Sequence, residues 1–371
     1  MASRLLARLD AAIARSRDPV QVACLRAERA GFLARHGQVG LARTQLQELQ
    51  RQFSREPHAA VSGWLALAEG QVEHYTHLGG QSHDRFNRAY ALSRAAQLRP
   101  LQALAAAWLG HSEYVRNRRD AMARLSAEAL TLAEPQHHGA RWRAALTVAS
   151  AYHLAGCNEQ AEAWYIAART HAMADGDDAA ISALLWNQAA LRFLQARWAE
   201  VFGGEPPPSL VASTDASTGF DRVMGVQSLD WLGPMLRAQL ATMEGRWGEG
   251  LALIDEHFPR SGDDWRDRMA PSVLADRAWC LWHLGRHAEA GEDLRQAGEA
   301  VQQQLQGRQS FEVDDRALAQ ARMAEVAQAL GEGAAAAQWR AGAERDAQQH
   351  HDEQQRLRAL LDAALQGLNP R

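Results

Sequence analysis

Small and large apolar residues recur along this chain with helical spacing, and glycines interrupt them at regular positions. The clearest copy covers residues 145–168, ALTVASAYHLAGCNEQAEAWYIAA. Steps of three and four residues place side chains on one face of a helix, and glycine supplies the positive φ that ends one. The pattern therefore predicts two amphipathic helices joined by a tight turn. Its positions are Ala149, Tyr152, Gly156, Ala161, Tyr165 and Ala168.

The same spacing returns elsewhere in the chain. Copies are centred on Gly37 and Gly285, with less regular ones on Gly245 and Gly331. Degenerate copies are predicted over residues 64–96, 101–133 and 181–202, which makes about eight helical hairpins by the repeat logic. A single hairpin cannot bury its own apolar face, so the hairpins are expected to stack into an all-α array.

The repeated pattern resembles the tetratricopeptide repeat, in its longer and more degenerate bacterial form. The positions that match this family are Ala149, Tyr152, Ala161, Tyr165 and Ala168 in one hairpin, and Ala278, Ala290, Leu294 and Ala297 in another. The repeats are spaced nearer forty residues than the family's usual thirty-four, and the closing proline is mostly missing. The resemblance implies a right-handed superhelical α-solenoid.

Two stretches divide the array into segments. Residues 203–219, GGEPPPSLVASTDASTG, are rich in proline, serine and glycine, so we expect no helix there but a surface insertion or a hinge. After Gly331 one long helix is predicted, either capping the last repeat or forming a coiled-coil homodimer. The predicted segments are 1–202 with N-terminal repeats, 203–219, 220–333 with C-terminal repeats, and 334–371.

Composition narrows the classes of partner. The chain has 371 residues and a formal net charge of −4, and all 40 basic residues are arginine. A slightly negative net charge does not favour binding to nucleic acid or to an anionic membrane. Because the chain has no lysine, a P-loop lysine and a Schiff-base mechanism are both excluded. Three widely spaced cysteines and no long apolar run indicate a soluble protein of a reducing cytoplasm.

No catalytic or metal-binding constellation stands out. The densest histidine group is Glu73, His74, His77, His83 and Asp84, in which His74 and His77 lie one helical turn apart. A third ligand would have to come from a loop, so we expect no metal. The chain has no GxSxG, HExxH or glycine-rich phosphate loop. The sequence therefore predicts a protein that is not an enzyme and needs no cofactor.

The candidate site lies on the face that the resemblance assigns to the concave, ligand-binding side. Trp279 and Trp282 are its strongest members, and the alternative is that they only pack against neighbouring helices. Such a neutral, aromatic and hydrogen-bonding surface suits a peptide or a partner helix. The other members are His111, Tyr114, Arg143, Ser150, His153, Asn187, Gln195, Gln239, Thr242, His283, Glu325 and Gln328.

Two functions fit these features. The first is a non-catalytic scaffold or regulator in a bacterial cytoplasm that binds a protein or peptide in the groove. The second is a sensory or dimerising input module of a bacterial signalling system, whose cyclase, kinase or transcription-regulator output lies on another chain. Neither hypothesis involves nucleic acid or a membrane.

Overall fold

The protein is all-α in the part described by a computed structural model, which covers residues 3–77, 81–207, 210–258, 264–306 and 312–370. Within these ranges there are seventeen helices and no strand. The helices are α1 Arg4–Arg15, α2 Pro19–Arg35, α3 Val39–Gln52, α4 Ala59–His77, α5 Gln81–Ala95, α6 Arg99–Val115, α7 Arg119–Leu132, α8 His138–Leu154, α9 Asn158–Asp175, α10 Asp178–Phe202, α11 Leu210–Met224, α12 Leu232–Met243, α13 Trp247–His257, α14 Asp264–His283, α15 His287–Leu305, α16 Val313–Ala329 and α17 Gly333–Ala364.

Turn residues separate the helices at the predicted places. Gly37, Gly156, Gly245, Gly285 and Gly331 all adopt positive φ, from 73 to 96°. At Gly37 a side chain is also excluded by space, because a Cβ would lie 2.7 Å from the carbonyl carbon of Gln227. Asn117, with φ 59°, adopts the same left-handed backbone conformation in the turn between α6 and α7, where the sequence has no glycine. Helices α2 to α9 therefore form four successive hairpins.

The chain divides into two compact units. Unit 1 comprises Met1–Asn187, Gly219–Leu229 and Arg356–Arg371, and unit 2 comprises Gln188–Thr218 and Asp230–Gln355. In unit 1, α2 packs on α4 and α6 on α8, while α3, α5 and α7 each also contact the next hairpin. Alanines at the contacts, such as Ala27, Ala30 and Ala68, are essentially fully buried, which lets the helices approach closely.

The first helix of unit 1 packs against its fourth hairpin. Leu5 N donates to Gly176 O at 3.1 Å, and Ser3 Oγ donates to the same oxygen at 3.2 Å. Arg35, at the end of α2, binds Asp177 at 2.5 Å. Asp177 Oδ1 also accepts from Ala180 N at 3.0 Å, so it caps the start of α10. These contacts enclose the interior of unit 1.

Unit 2 buries the repeat positions of its own hairpins. Ala278, Ala297, Ala327 and Ala336 are fully buried in one cluster, with Trp279 and Trp339 packed against it. Beside that cluster Arg197 donates two hydrogen bonds, both 2.9 Å, to the buried carboxylate of Asp276. The predicted small-residue positions therefore form the contacts between helices here as well.

Helix α17 buries its apolar stripe inside the chain. Within unit 2, Ala343 is 2 % exposed and Asp346 accepts from Arg316 at 2.6 and 2.7 Å. Within unit 1, Leu357 and Leu361 are buried, and Asp362 accepts from Tyr152 Oη at 3.0 Å. This burial favours a capping helix over a coiled-coil seam.

Two local predictions differ from the structure. Residues 181–202 belong to the single helix α10 rather than to a degenerate hairpin, and the stretch contains neither glycine nor proline. Helix α11 begins at Leu210, inside the stretch 203–219 that was expected to be non-helical. Its hydroxyl groups bond within the helix, because Thr214 Oγ1 donates to Leu210 O and Thr218 Oγ1 to Thr214 O.

None of the helices in the described ranges combines the length and the apolar character needed to cross a membrane.

Candidate functional site

Five aromatic side chains meet on unit 2, and we call them the tryptophan cluster: Trp247, Trp279, Trp282, His283 and His287. The rings of Trp279 and Trp282 are nearly parallel, with centroids 5.4 Å apart. His283 stacks face to face on Trp247 at 3.9 Å and meets Trp279 edge-on at 4.5 Å. His287 lies parallel to Trp282 at 6.0 Å. The cluster is therefore a continuous aromatic surface.

Local sequence spacing builds this surface. Trp279, Trp282 and His283 lie three and four residues apart in the last turns of α14, so they share one face. The turn at Gly285 brings His287 back as the first residue of α15. Trp247 opens α13, which packs against α14.

Neighbouring groups fix the orientation of the indoles. Trp282 Nε1 donates to Ala329 O at 3.2 Å, and the guanidinium of Arg322 lies 5.3 Å from the centre of the Trp279 ring. Arg322 also binds Glu325 at 2.5 Å. Held in this way, the rings lose little conformational freedom when a ligand binds, which favours affinity.

The cluster is accessible and nearly neutral. The three indoles are half-buried, and His283 and His287 are exposed. Burial, and then the nearby charge of Arg322, lower the pKa of His283 below 6.5, so its ring is uncharged at neutral pH. At the rim, Arg286 binds Glu289 at 2.6 Å and Arg246 binds Glu249. Such a surface suits apolar or aromatic groups of a ligand.

The structure brings together part of the predicted set. Trp279, Trp282, His283 and Glu325 meet here, and Gln328 is exposed one turn beyond Glu325. Sequence reasoning missed Trp247, His287 and Arg322. The available signal was the density of four tryptophans and three histidines between positions 247 and 287.

Other predicted residues have local partners instead. Asn187 Nδ2 donates to Ala183 O at 2.7 Å, and buried Thr242 donates to Ala238 O at 2.9 Å. Gln195 and Gln239 are half-buried. These four residues are not part of the tryptophan cluster.

On unit 1 the predicted groove positions are packed. Relative exposures are 8 % for His111, 2 % for Arg143, 2 % for Ser150 and 7 % for His153, and Tyr114 is half-buried under Arg119. The interior aromatic rings are in direct contact. Trp108 stacks on Phe86 at 5.5 Å and meets Trp142 at right angles at 6.1 Å. Here the groove positions belong to the core of the unit.

A small cavity of about 30 Å³ remains in unit 1, beside Trp108 and Trp142. Charged groups also line it, among them Glu28 and Asp175. Arg8 binds Asp175, whereas Glu28 has no ion-pair or hydrogen-bond partner in the described chain. Burial, followed by the negative charge of Asp175, raises the pKa of Glu28 from 4.5 to about 7.

Because the folded protein holds the neutral form of Glu28, its stability should depend on pH. The stabilising contribution of the protonated Glu28 carboxyl is fully present below about pH 4.5 and is lost as the pH rises through 7. Glu28→Gln mimics the neutral carboxyl, so its stability relative to the wild type should rise by about 2 kcal/mol between pH 4.5 and 8. Urea unfolding of both proteins across this range tests the prediction. A difference that does not change with pH would contradict it.

The described histidine side chains contact neighbouring side chains. Across the described residues, no group of three potential ligands is placed to hold a metal ion. His83 Nε2 lies 2.8 Å from Glu113 Oε1, and His74 packs edge-on against His111 at 5.2 Å. The side chain of His77 lies outside the described residues. The thiols of Cys24 and Cys280 have pKa values raised to about 11, mainly by burial.

No known protein family has a profile that matches this sequence. A comparison with curated proteins likewise finds no significant match.

Proposed function

We propose that this protein is a non-catalytic scaffold or regulator of the bacterial cytoplasm, built from tetratricopeptide-like hairpins in a right-handed superhelix. It binds a peptide or a partner helix through the tryptophan cluster of unit 2. The observation that carries the proposal is the half-exposed, oriented set of three indoles with His283 stacked on one of them. Clusters of this composition supply most of the binding energy at protein interfaces.

The chemistry of the surface selects the partner. Its centre is aromatic and uncharged, and the arginine and glutamate side chains at the rim pair with each other. A partner that presents apolar or aromatic side chains would bury them against the indoles, while Glu325 and Gln328 offer hydrogen bonds at the edge. A strongly charged partner would gain little here, because the rim charges are already paired.

Removal of the cluster should abolish this binding. Peptides selected on the wild-type protein from a displayed random library would be synthesised and titrated by calorimetry. Trp279→Ala combined with Trp282→Ala should raise the dissociation constant by at least about 30-fold, the effect of losing one tryptophan worth about 2 kcal/mol, because the contributions of two neighbouring tryptophans do not add fully. Helicity measured by circular dichroism should stay close to that of the wild type.

A matched control separates binding from stability. Trp231→Ala also removes a half-buried tryptophan of unit 2, but one that lies outside the cluster. It should leave the dissociation constant within about twofold of the wild type. The proposal fails if the folded double variant binds as tightly as the wild type, or if the selected peptides have no apolar or aromatic position in common.

A further inference from the structure

One guanidinium in unit 1 has no counter-ion. Arg143, on α8, is 2 % exposed, and within the described chain no oxygen accepts a hydrogen bond from it. It lies over the rings of Trp108 and Trp142, at 5.3 and 5.0 Å from their centres. Contact with aromatic rings compensates a buried charge only in part, and an ion without an acceptor is costly.

The carboxylate that acts on Arg143 already binds another arginine. Arg35 lies over the Trp142 ring at 5.6 Å, so two guanidiniums share this indole. The carboxylate that acts on both is Asp177, and it already accepts from Arg35 Nη1 at 2.5 Å. The Nε atoms of Arg35 and Arg143 are both buried without a partner. The carboxylate that acts on both guanidiniums is therefore hydrogen-bonded to Arg35 and not to Arg143.

A second unused donor lies nearby. His111 meets Trp108 edge-on at 6.1 Å, is 8 % exposed, and its buried Nδ1 has no partner. Burial, and then the charge of Arg143, lower the pKa of His111 well below 6.5. The neutral ring carries one N–H, which can be placed on Nδ1 as a donor. Buried donors without acceptors are rare in folded proteins and call for an explanation.

We propose that unit 1 binds a small carboxylate anion at Arg143, with His111 as a second donor and Trp108 and Trp142 as the apolar walls. A carboxylate brings one negative charge and two acceptor oxygens to the guanidinium of Arg143, which has no acceptor of its own. Its two oxygens match the planar fork of a guanidinium, whereas a doubly charged phosphate would overcompensate it. The site is independent of the tryptophan cluster, which belongs to unit 2.

Acidic side chains in the interior of unit 1 would repel an anion at Arg143 if their charges were unpaired. Asp175 and Asp177 are each bound by an arginine, and neither Glu28 nor Asp175 is among the groups that act on Arg143. Tyr75 is the strongest electrostatic neighbour of Arg143, and its phenol is neutral because burial raises its pKa above 10. An anion at Arg143 therefore faces the neutral phenol of Tyr75 and an Asp177 carboxylate whose charge is already paired with Arg35.

The test compares Arg143→Met with the wild type. Methionine keeps much of the apolar volume and removes the charge, and Arg169→Met on the exposed face of α9 is the matched control. Unfolding midpoints would be measured at pH 7 and constant ionic strength in sodium chloride, acetate, benzoate and phosphate. Binding would be measured directly from saturable line broadening of ¹³C-labelled acetate.

In the wild type and the control, acetate or benzoate should raise the midpoint by about 2 °C or more above that in chloride. Arg143→Met should show neither this shift nor saturable broadening, and in chloride it should unfold at or above the wild-type temperature. His111→Phe keeps a ring and removes the donor, so it should weaken acetate binding several-fold. This variant tests the site if Arg143→Met fails to fold. A wild type without saturable acetate binding, a response to phosphate alone, or undiminished binding in folded Arg143→Met would overturn the proposal.

Discussion

Asp276→Ala is expected to destabilise unit 2 by about 3–5 kcal/mol, the cost typical of breaking a buried ion pair. Asp276 is 2 % exposed and accepts two hydrogen bonds from Arg197, while Arg322 Nε lies 3.5 Å from its Oδ1. Alanine would leave two buried guanidiniums without this counter-ion. Urea unfolding, followed by far-ultraviolet circular dichroism, measures the loss.

An exposed ion pair of the same unit provides the comparison. Asp255 accepts from Arg277 Nε at 2.7 Å, but 43 % of its side chain is accessible. Asp255→Ala should therefore cost at most about 1 kcal/mol. Equal losses for the two variants would show that burial does not govern the strength of the Asp276 pair.

The second large effect is expected from deletion of residues 356–371. These residues belong to unit 1, where Leu357, Leu361 and Leu365 are 4 %, 0 % and 6 % exposed. Burial of a leucine side chain contributes about 1.5–3 kcal/mol, so the deletion should destabilise unit 1 by roughly 5 kcal/mol or more. The deletion also removes Asp362, the acceptor for Tyr152.

Single substitutions make this test sharper. Leu361→Ala should cost about 2–5 kcal/mol in chemical unfolding, whereas Arg356→Ala, at an exposed position of the same helix, should change stability by less than about 0.5 kcal/mol. If α17 were instead the seam of a homodimer, the deletion would change the oligomeric state without this loss. Sedimentation of the wild type and the deletion variant distinguishes the two roles.

Hairpin boundaries followed well from local sequence. A glycine with positive φ ends the first helix wherever the strong pattern places one, because few other residues adopt that backbone conformation without strain. Asp18 caps α2 by accepting from Val20 N at 3.0 Å, as the Asp-Pro pair indicates. These features depend on a few adjacent residues, so they can be read without knowledge of the fold.

Helix content was harder to predict where local signals conflict. Residues 210–219 have low helix propensity, yet they form the start of α11, in which Thr214 and Ser217 are buried. Residues 181–202 keep a hairpin-like apolar spacing but form one helix, because nothing in them ends it. Hydrogen bonds from its hydroxyl groups to the helix backbone and the burial of these two side chains accompany a helix that propensity alone does not predict.

Only the part of the candidate site that lies on a single helix could be predicted from the sequence. Trp279, Trp282 and His283 share a helix, so their common face follows from their spacing. Trp247 and His287 join them only because α13 and α15 pack beside α14. The same repeat register predicted a binding groove on unit 1, but the residues assigned to it are buried: His111, Arg143, Ser150 and His153.

The sequence by itself determined the helical hairpins, their turns and the small residues at their contacts, since these follow from helical period and local backbone preference. Only the tertiary structure decided which groove positions stay accessible. Contacts between α1 and the fourth hairpin enclose the interior of unit 1, whereas the indoles of unit 2 remain half-exposed. Burial depends on residues far apart in the chain, and periodicity carries no information about them.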